Sequence, residues 1–155
     1  MASAEVNFDL RELDGLAKLI EKAKLSSADR RELLGRIGNE VEAQTQNRLA
    51  ETEGSPDGKP WQELAEKTKR YYAKKFPGLR KSILNLTGGL QDSIESQVDD
   101  WSVLVGATKV YAATHQFGRG KIPARPYLGI STSNADDIMV IAKQFLSERI
   151  TEKVS

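Results

Sequence analysis

Cysteine is absent from this sequence of 155 residues, and histidine occurs only once, as His115. Without cysteine, the chain can form neither disulfide bonds nor thiolate metal sites, and it lacks a thiol nucleophile. A single histidine excludes paired-histidine zinc sites such as HExxH. No apolar run approaches the roughly 20 residues that cross a bilayer, and residues 1–15 lack the pattern of a signal peptide. We therefore expect no metal, no membrane contact and a cytosolic place of synthesis.

Motifs for catalysis and for phosphate binding are also missing. No serine stands in a GxSxG pattern, so a serine triad would depend on His115 alone. Gly88 and Gly89 are adjacent, whereas Gly118 and Gly120 lack the third glycine of a dinucleotide-binding turn. The sequence therefore predicts no catalytic residue, no cofactor and no enzymatic activity.

Charge is distributed unevenly along the chain, although the formal net charge is only +1. Residues 1–66 carry 9 basic and 14 acidic residues, and residues 67–135 carry 11 basic and 4 acidic residues. The first segment has a net charge of −5 and the second one of +7, while residues 136–155 have −1. Such polarity can attract a polyanion, and it equally suits identical subunits that place opposite charges against each other.

Apolar residues at three-and-four spacing predict two helices in the N-terminal part of the chain. The first covers about residues 10–23, and the second is capped near Ser26 and ends near Glu53. Residues 54–60 hold two prolines and two glycines, which predicts a loop. A short helix is predicted from Trp61 to about residue 75. It should end before Pro77, because the residue that precedes a proline disfavours the helical conformation.

From Ser93 onward the apolar residues alternate, which predicts a β-hairpin that turns at Asp99 and Asp100. Residues 111–117 fit either a helical turn or a strand, and residues 118–126 fit a projecting loop.

The last predicted elements are a short strand at 127–130 and a final helix capped by Ser133 or Asn134. The predicted fold class is α+β, with two N-terminal helices, a short helix, a small antiparallel β-sheet and a C-terminal helix packed on one sheet face. With 39% apolar residues, the chain can bury one core, so we expect a single domain over residues 1–155.

A basic run surrounds three aromatic residues, and no acidic residue occurs from position 67 to position 91. Its members are Lys67, Lys69, Arg70, Lys74, Lys75, Arg80 and Lys81. Basic side chains can neutralise phosphates while Tyr71, Tyr72 and Phe76 stack on bases, so contact with DNA is one interpretation. A solvated helix face and a subunit interface are the alternatives.

Four short stretches carry a resemblance to a known family. They are PDGKPW at 56–61, LTGGLQDSI at 86–94, VGATKVYAATHQFG at 105–118 and IPARPYLGIS at 122–131. In this order and spacing they resemble the phage virion morphogenesis family, which includes the tail completion protein S type and the Mu-like capsid assembly protein G type. The chain departs from the family at Arg48 and Leu49, where an aromatic residue is frequent, and at Gly89, where a basic residue is frequent.

The matched stretches suggest which residues are anchors and which make contacts. The structural anchors are Trp61, Thr87, Gly88, Gly118 and Pro126. The candidate subunit or partner interface consists of His115, Gln116, Phe117, Arg119, Lys121 and Arg125. Arg125 is held extended between alanine and proline, so its guanidinium could pair with a carboxylate of a neighbour or with an acidic helix of its own chain.

The resemblance implies a structural role at the head-proximal end of a phage tail or in the neck, as a tail completion or terminator subunit for head–tail joining. It implies a homo-oligomeric ring in the virion, a hexamer by analogy with tail symmetry, built in the host cytoplasm. The partners would be tail tube or sheath proteins, or neck and connector proteins. Head (capsid) morphogenesis and a nucleic-acid-binding module at 67–81 are the alternatives.

Overall fold

The computed structural model describes residues 4–9, 15–78, 82–84 and 86–154. In chain order the elements are β1 (Ala4–Asp9), α1 (Leu16–Ala23), α2 (Ser27–Asn47), a π-helical segment (Arg48–Thr52), α3 (Glu66–Lys75), α4 (Gly89–Asp92), β2 (Ile94–Val98), β3 (Ser102–Ala107), α5 (Ala112–Phe117) and α6 (Thr132–Val154). This combination of helices and a small sheet confirms the predicted α+β class. Of the helices that the structure describes, none has the length and apolar character of a membrane span.

The three strands form an antiparallel sheet in the order β1–β3–β2, with β3 in the centre. Because side chains alternate across a strand, Val103 and Val105 of β3 share one face, and both are fully buried. Leu104 points to the other face, in register with Asn7 of β1 and Gln97 of β2. Both of these polar neighbours are exposed, so one face of the sheet belongs to the core and the other faces solvent.

Helix α2 covers the buried face of the sheet, where it contacts β2 and β3. It begins at a cap in which the hydroxyl of Ser26 accepts a hydrogen bond from the amide of Asp29 at 3.1 Å. Helix and sheet approach most closely at Gly38, where a β-carbon would lie 2.9 Å from Ser96 Oγ and from Val103 Cγ2. This close approach explains a glycine inside a long helix, where it is otherwise unfavourable.

Helix α6 packs against α2 and α1 and so joins the helical layer that covers the sheet. Arg149 of α6 pairs with Asp29 at 3.0 Å and with Glu32, which also pairs with Arg36 at 3.1 Å. The two arginines lie over the ring of Phe145, at 4.7 and 5.0 Å from its centroid. Exposed ion pairs contribute little on their own, so the fully buried Phe145 provides the larger part of this contact.

Helix α6 is capped by a reciprocal pair of hydrogen bonds. The amide of Asn134 donates to Ser131 Oγ at 3.1 Å, and the amide of Ser131 donates to Asn134 Oδ1 at 3.3 Å. The predicted cap at Ser133 or Asn134 is therefore wrong. Ser131 is the N-cap residue, and the side chain of Asn134 in the first turn accepts a hydrogen bond from the amide of Ser131.

Further element predictions differ from the structure. The strand β1 is not predicted by the sequence pattern, and the first helix begins at Leu16, while its predicted part at 10–14 lies outside the described residues. Helix α3 begins at Glu66 rather than at Trp61, and residues 127–130 are not a strand. In the last two cases side chains bind the backbone: Arg125 donates to the carbonyls of residues 62 and 63, and Gln116 accepts from the amides of residues 127 and 128. The ambiguous segment at 111–117 contains helix α5.

Two glycines of α2 provide a matched test of the contact between helix and sheet. We expect Gly38→Ala to destabilise the protein by about 1–3 kcal/mol, because the added methyl group meets Ser96 and Val103 in a packed layer. Gly35→Ala should instead stabilise it by about 0.5–1 kcal/mol, since a β-carbon there meets nothing within 4 Å. Urea unfolding of both variants measures the difference, and equal effects would contradict this packing.

Candidate functional site

Residues 123–128 have no regular secondary structure, and Arg125, Tyr127 and Leu128 within them are buried. The carboxamide of Gln116 binds this backbone: Oε1 accepts from the amides of Tyr127 and Leu128 at 3.0 Å each, and Nε2 donates to the Leu128 carbonyl at 3.4 Å. The hydroxyl of Tyr127 donates to the Ala112 carbonyl at 2.9 Å, and burial raises its pKa. These hydrogen bonds connect helix α5 to residues 127 and 128.

Two more side chains join the same segment to the chain that follows the loop at 54–60. The indole Nε1 of Trp61 donates to the carbonyl of Pro126 at 2.8 Å. The guanidinium of Arg125 donates from Nε to the Gln62 carbonyl at 2.7 Å and from Nη2 to the Glu63 carbonyl at 3.1 Å. Since these carbonyls are bound by a side chain, residues 62 and 63 stay extended and α3 begins only after them.

A pocket of about 270 Å³ lies beside this cluster, with walls that include Tyr72, Leu86, Tyr111, His115 and Arg125. The ring of His115 stands edge-on to that of Tyr111, with centroids 5.6 Å apart. Burial, and after it the positive charge of Arg125, lower the pKa of His115. Both effects favour the neutral form of the imidazole. Among the described residues no hydrogen-bond partner reaches His115 Nδ1.

The predicted projecting loop divides into two parts. Residues 118–122 turn back on themselves, because the amides of Arg119 and Ile122 donate to each other's carbonyls at 3.0 and 2.9 Å. Gly118 has a φ of +77°, and a β-carbon on it would lie 2.9 Å from the amide nitrogen of Ala124. In residues 123–126 the side chain of Arg125 is instead buried, although Ala124 beside it is exposed. Only the first part projects.

The tip of this structure exposes apolar and basic side chains together. Phe117 is 69% exposed and Ile122 is 45% exposed, and Arg119 and Lys121 between them are exposed as well. We call residues 117–122 the projecting loop. A large aromatic side chain held in solvent by a closed turn is typical of a contact surface.

The six predicted interface residues fall into two groups. Phe117, Arg119 and Lys121 are exposed in the projecting loop. The other three support the loop from inside, and they are His115, Gln116 and Arg125. The guanidinium of Arg125 thus binds backbone carbonyls of its own chain, in place of the neighbouring carboxylate that the sequence suggests.

The predicted anchors are also placed by the structure. Trp61 and Pro126 share the hydrogen bond described above, and Gly118 fits against Ala124. Gly88 precedes α4 with a φ of +83°, a conformation that favours glycine, while Thr87 beside it is exposed.

The basic run lies mainly on α3, and the structure describes all ten residues of this helix without a buried one among them. Lys67, Arg70 and Lys74 are spaced by three and four, so they form one exposed stripe together with Tyr71, which is 52% exposed. Within the described part of the chain, no carboxylate forms an ion pair with these three bases. We call these four residues the basic stripe.

The remaining members of the basic run are placed differently. Lys69 is neutralised by Glu63 at 2.7 Å and by Glu66 at 3.4 Å. Lys75 donates to the hydroxyl of Tyr71 at 2.8 Å and lies over its ring. Arg80 and Lys81 lie outside the described residues.

Arg48 is a structural residue that the sequence analysis notes only as a departure from the family. It is buried at the start of the π-helical segment and donates to the Tyr127 carbonyl at 2.5 Å and to Asn134 Oδ1 at 2.7 Å. It therefore ties the end of the long helix both to the buried segment and to the cap of α6. An arginine in the apolar stripe of a helix is the sequence signal that could have identified it.

Comparisons with known proteins support the family resemblance of the four stretches. The profile of the phage virion morphogenesis family matches residues 10–147. The chain belongs to this family. It is similar to the Mu-like prophage FluMu G protein 1 of Haemophilus influenzae, with 34% identity over 112 residues that cover 70% of this chain and 75% of that protein.

A second relative comes from Escherichia phage Mu and carries a provisional name as capsid assembly protein G. It is 32% identical over 79 residues, which cover 46% of this chain and 51% of the Mu protein. No solved structure matches the chain significantly. The chain is accordingly a phage virion morphogenesis protein, and three of the four family-like stretches, at 56–61, 105–118 and 122–131, contribute residues to the cluster around residues 123–128.

Two arginines six positions apart in sequence test the division between internal anchors and exposed surface. We expect Arg125→Met to destabilise the virion morphogenesis protein by about 1.5–3 kcal/mol, because the backbone carbonyls of residues 62 and 63 lose a charged hydrogen-bond donor. Arg119→Met at the exposed tip should change stability by less than about 0.5 kcal/mol. Denaturant titrations of both variants give the two values. A loss at Arg119 as large as that at Arg125 would overturn the assignment.

Proposed function

We propose that this protein is the tail completion or terminator subunit at the head-proximal end of a phage tail or in the neck, and that it permits head–tail joining. The observation that carries the proposal is the projecting loop, in which an aromatic side chain that is 69% exposed stands next to a hydrogen-bonded turn at 119–122. An aromatic side chain has few rotatable bonds, so it loses little entropy when a partner covers it, and such residues are common at the centres of interfaces. Its site of action would be the virion.

A closed ring of identical copies follows from this proposal, with six copies by analogy with the symmetry of tails. Each copy would then bury its loop against a neighbour, while adjacent tail tube, sheath, neck or connector proteins would cover other surfaces. This subunit acts by binding rather than by catalysis. His115 supports that reading, because in the described residues no carboxylate orients it as a triad requires.

Head morphogenesis is the second candidate, and the name of the phage Mu relative favours it. Both roles predict a protein that acts through contacts between subunits. They differ in the intermediate that accumulates without it: tail completion predicts separate heads and tails, whereas head morphogenesis predicts defective or missing heads.

Phe117 and Val140 are exposed apolar residues at two different places, and they form a matched pair. We expect Phe117→Ser, in a producing strain without the wild-type gene, to lower the yield of joined particles at least tenfold, because the contact surface loses its aromatic side chain. Val140→Ser on α6, where the side chain is 62% exposed, should leave the yield unchanged. Electron microscopy of lysates counts joined particles, free heads and free tails.

The type of intermediate decides between the two candidates. Full heads beside unjoined tails in the Phe117→Ser lysate would support tail completion, and a lack of intact heads would support head morphogenesis. Normal particles from a variant with the thermal stability of the wild-type protein would contradict both.

Contact with DNA is a third candidate, and the basic stripe on α3 favours it, because its three bases and one tyrosine face solvent together. Phosphate contacts release counterions, so the logarithm of the binding constant falls with the logarithm of salt by about 0.9 for each contact. Three contacts predict a slope of about −2.7 on duplex DNA.

A charge reversal on α3 measures this contribution. We expect Arg70→Glu with Lys74→Glu to remove two of the three contacts and to reduce the slope to about −0.9 at most. Lys18→Glu with Lys22→Glu makes the same change in net charge on the exposed side of α1 and should leave the slope as it is. Fluorescence anisotropy of a labelled duplex at several salt concentrations gives the slopes. Equal losses from both double variants would show non-specific attraction only.

A further inference from the structure

We propose that the projecting loop of one copy docks on the solvent-facing side of the β-sheet of the next copy. This inference rests on the proposed ring and names the two surfaces that would form it. One surface is the loop at 117–122, and the other is the sheet face that α2 leaves uncovered. The occupant of that face is thus a second copy of this chain.

The acceptor surface has an apolar centre inside a polar border. Leu104 lies on the middle strand, and its register partners on the outer strands are Asn7 and Gln97. A cleft of about 480 Å³ opens at these three residues and extends to Val98 and Ser102. Ligand pockets usually measure about 300–1,000 Å³, so this cleft has room for an aromatic side chain. Phe117 is the most exposed aromatic residue that the structure describes.

Charge complementarity accompanies this fit. The strand sequences AEVNFD, IESQV and SVLVGA contain three carboxylates and no base, and two of them, Glu5 and Glu95, flank Gly106 in one row of the solvent-facing side. The projecting loop carries Arg119 and Lys121 and no acid. Within the part of the chain that the structure describes, none of these four charged side chains has an ion-pair partner. Docking would pair them across the contact.

The positions of the two surfaces favour a head-to-tail contact. Helix α5, which ends in the loop, follows β3 closely and contacts β1, so it lies near the end of the sheet where Ala4 pairs with Ala107. The cleft at Leu104 lies toward the other end of the same strands. A protruding residue and a complementary cleft at different places on one chain generate a repeating contact, which closes into a ring when the rotation allows it.

Cysteine cross-linking tests the contact directly, because the chain has no cysteine of its own. We would co-express Lys121→Cys and Gln97→Cys as two differently tagged full-length chains in the producing strain, purify particles and oxidise them. The docking predicts a disulfide-linked dimer that carries both tags. Dimers with one tag twice would mean that identical surfaces meet, and that result, or no cross-link in intact particles, would overturn the inference.

A charge swap provides the second measurement. Glu95→Arg alone, and Arg119→Glu with Lys121→Glu alone, should each lower the yield of joined particles at least tenfold. The triple variant restores the opposite charges and should recover most of the yield. Glu21→Arg on the exposed side of α1 is the matched control and should leave the yield unchanged. A triple variant no better than its parents would count against the pairing.

The outcomes separate this inference from the proposed function. If Phe117→Ser prevents joining while no two-tag dimer forms, the loop contacts a different protein, so the completion role stands and the docking between copies fails. If Phe117→Ser leaves joining intact, the completion role proposed from this loop fails with it.

Discussion

The structure depends on one constraint, which is that Arg125, Tyr127 and Leu128 are buried in a segment that belongs to neither a helix nor a strand. Buried amides and carbonyls must find partners, and a segment outside regular structure cannot obtain them from a ladder. Here side chains provide them: Gln116 binds the amides of Tyr127 and Leu128, and Trp61 and Arg48 bind carbonyls. Each lost partner would leave an unsatisfied group in the core, at a cost of about 1–3 kcal/mol.

This constraint gives the family-like stretches a physical meaning. Trp61 and Gln116 lie in different family-like stretches, and each forms hydrogen bonds to the segment at 123–128, while Arg125 of that segment binds the carbonyls of residues 62 and 63. They form a frame, and the frame holds Gly118 and the turn after it in a fixed position. The side chains of Arg119 and Lys121 at the exposed tip form no part of this frame.

The sequence predicts the helices well where the apolar period is long, as in α2 and α6, and it predicts the β2–β3 hairpin because the turn at Asp99 and Asp100 is local. It misses β1, whose partner β3 lies far along the chain, since no local pattern records that pairing. The same limit applies to Arg125, where the bound carbonyls are more than sixty residues away. A charged residue in a proline-rich loop is as compatible with an exposed contact as with an internal anchor, and only the fold decides between them.

Three surfaces each carry charges of mainly one sign, which the net charge of +1 conceals. Acidic residues lie on the open face of the sheet, and basic residues lie on the projecting loop and on the basic stripe of α3. Under the proposed docking, loop and sheet neutralise each other between copies, and the small net charge keeps repulsion low as a ring closes. The basic stripe takes no part in that contact. Under the two proposals, one chain would bind its own copies through the loop and an acidic or polyanionic partner through α3, and the two contacts would not compete.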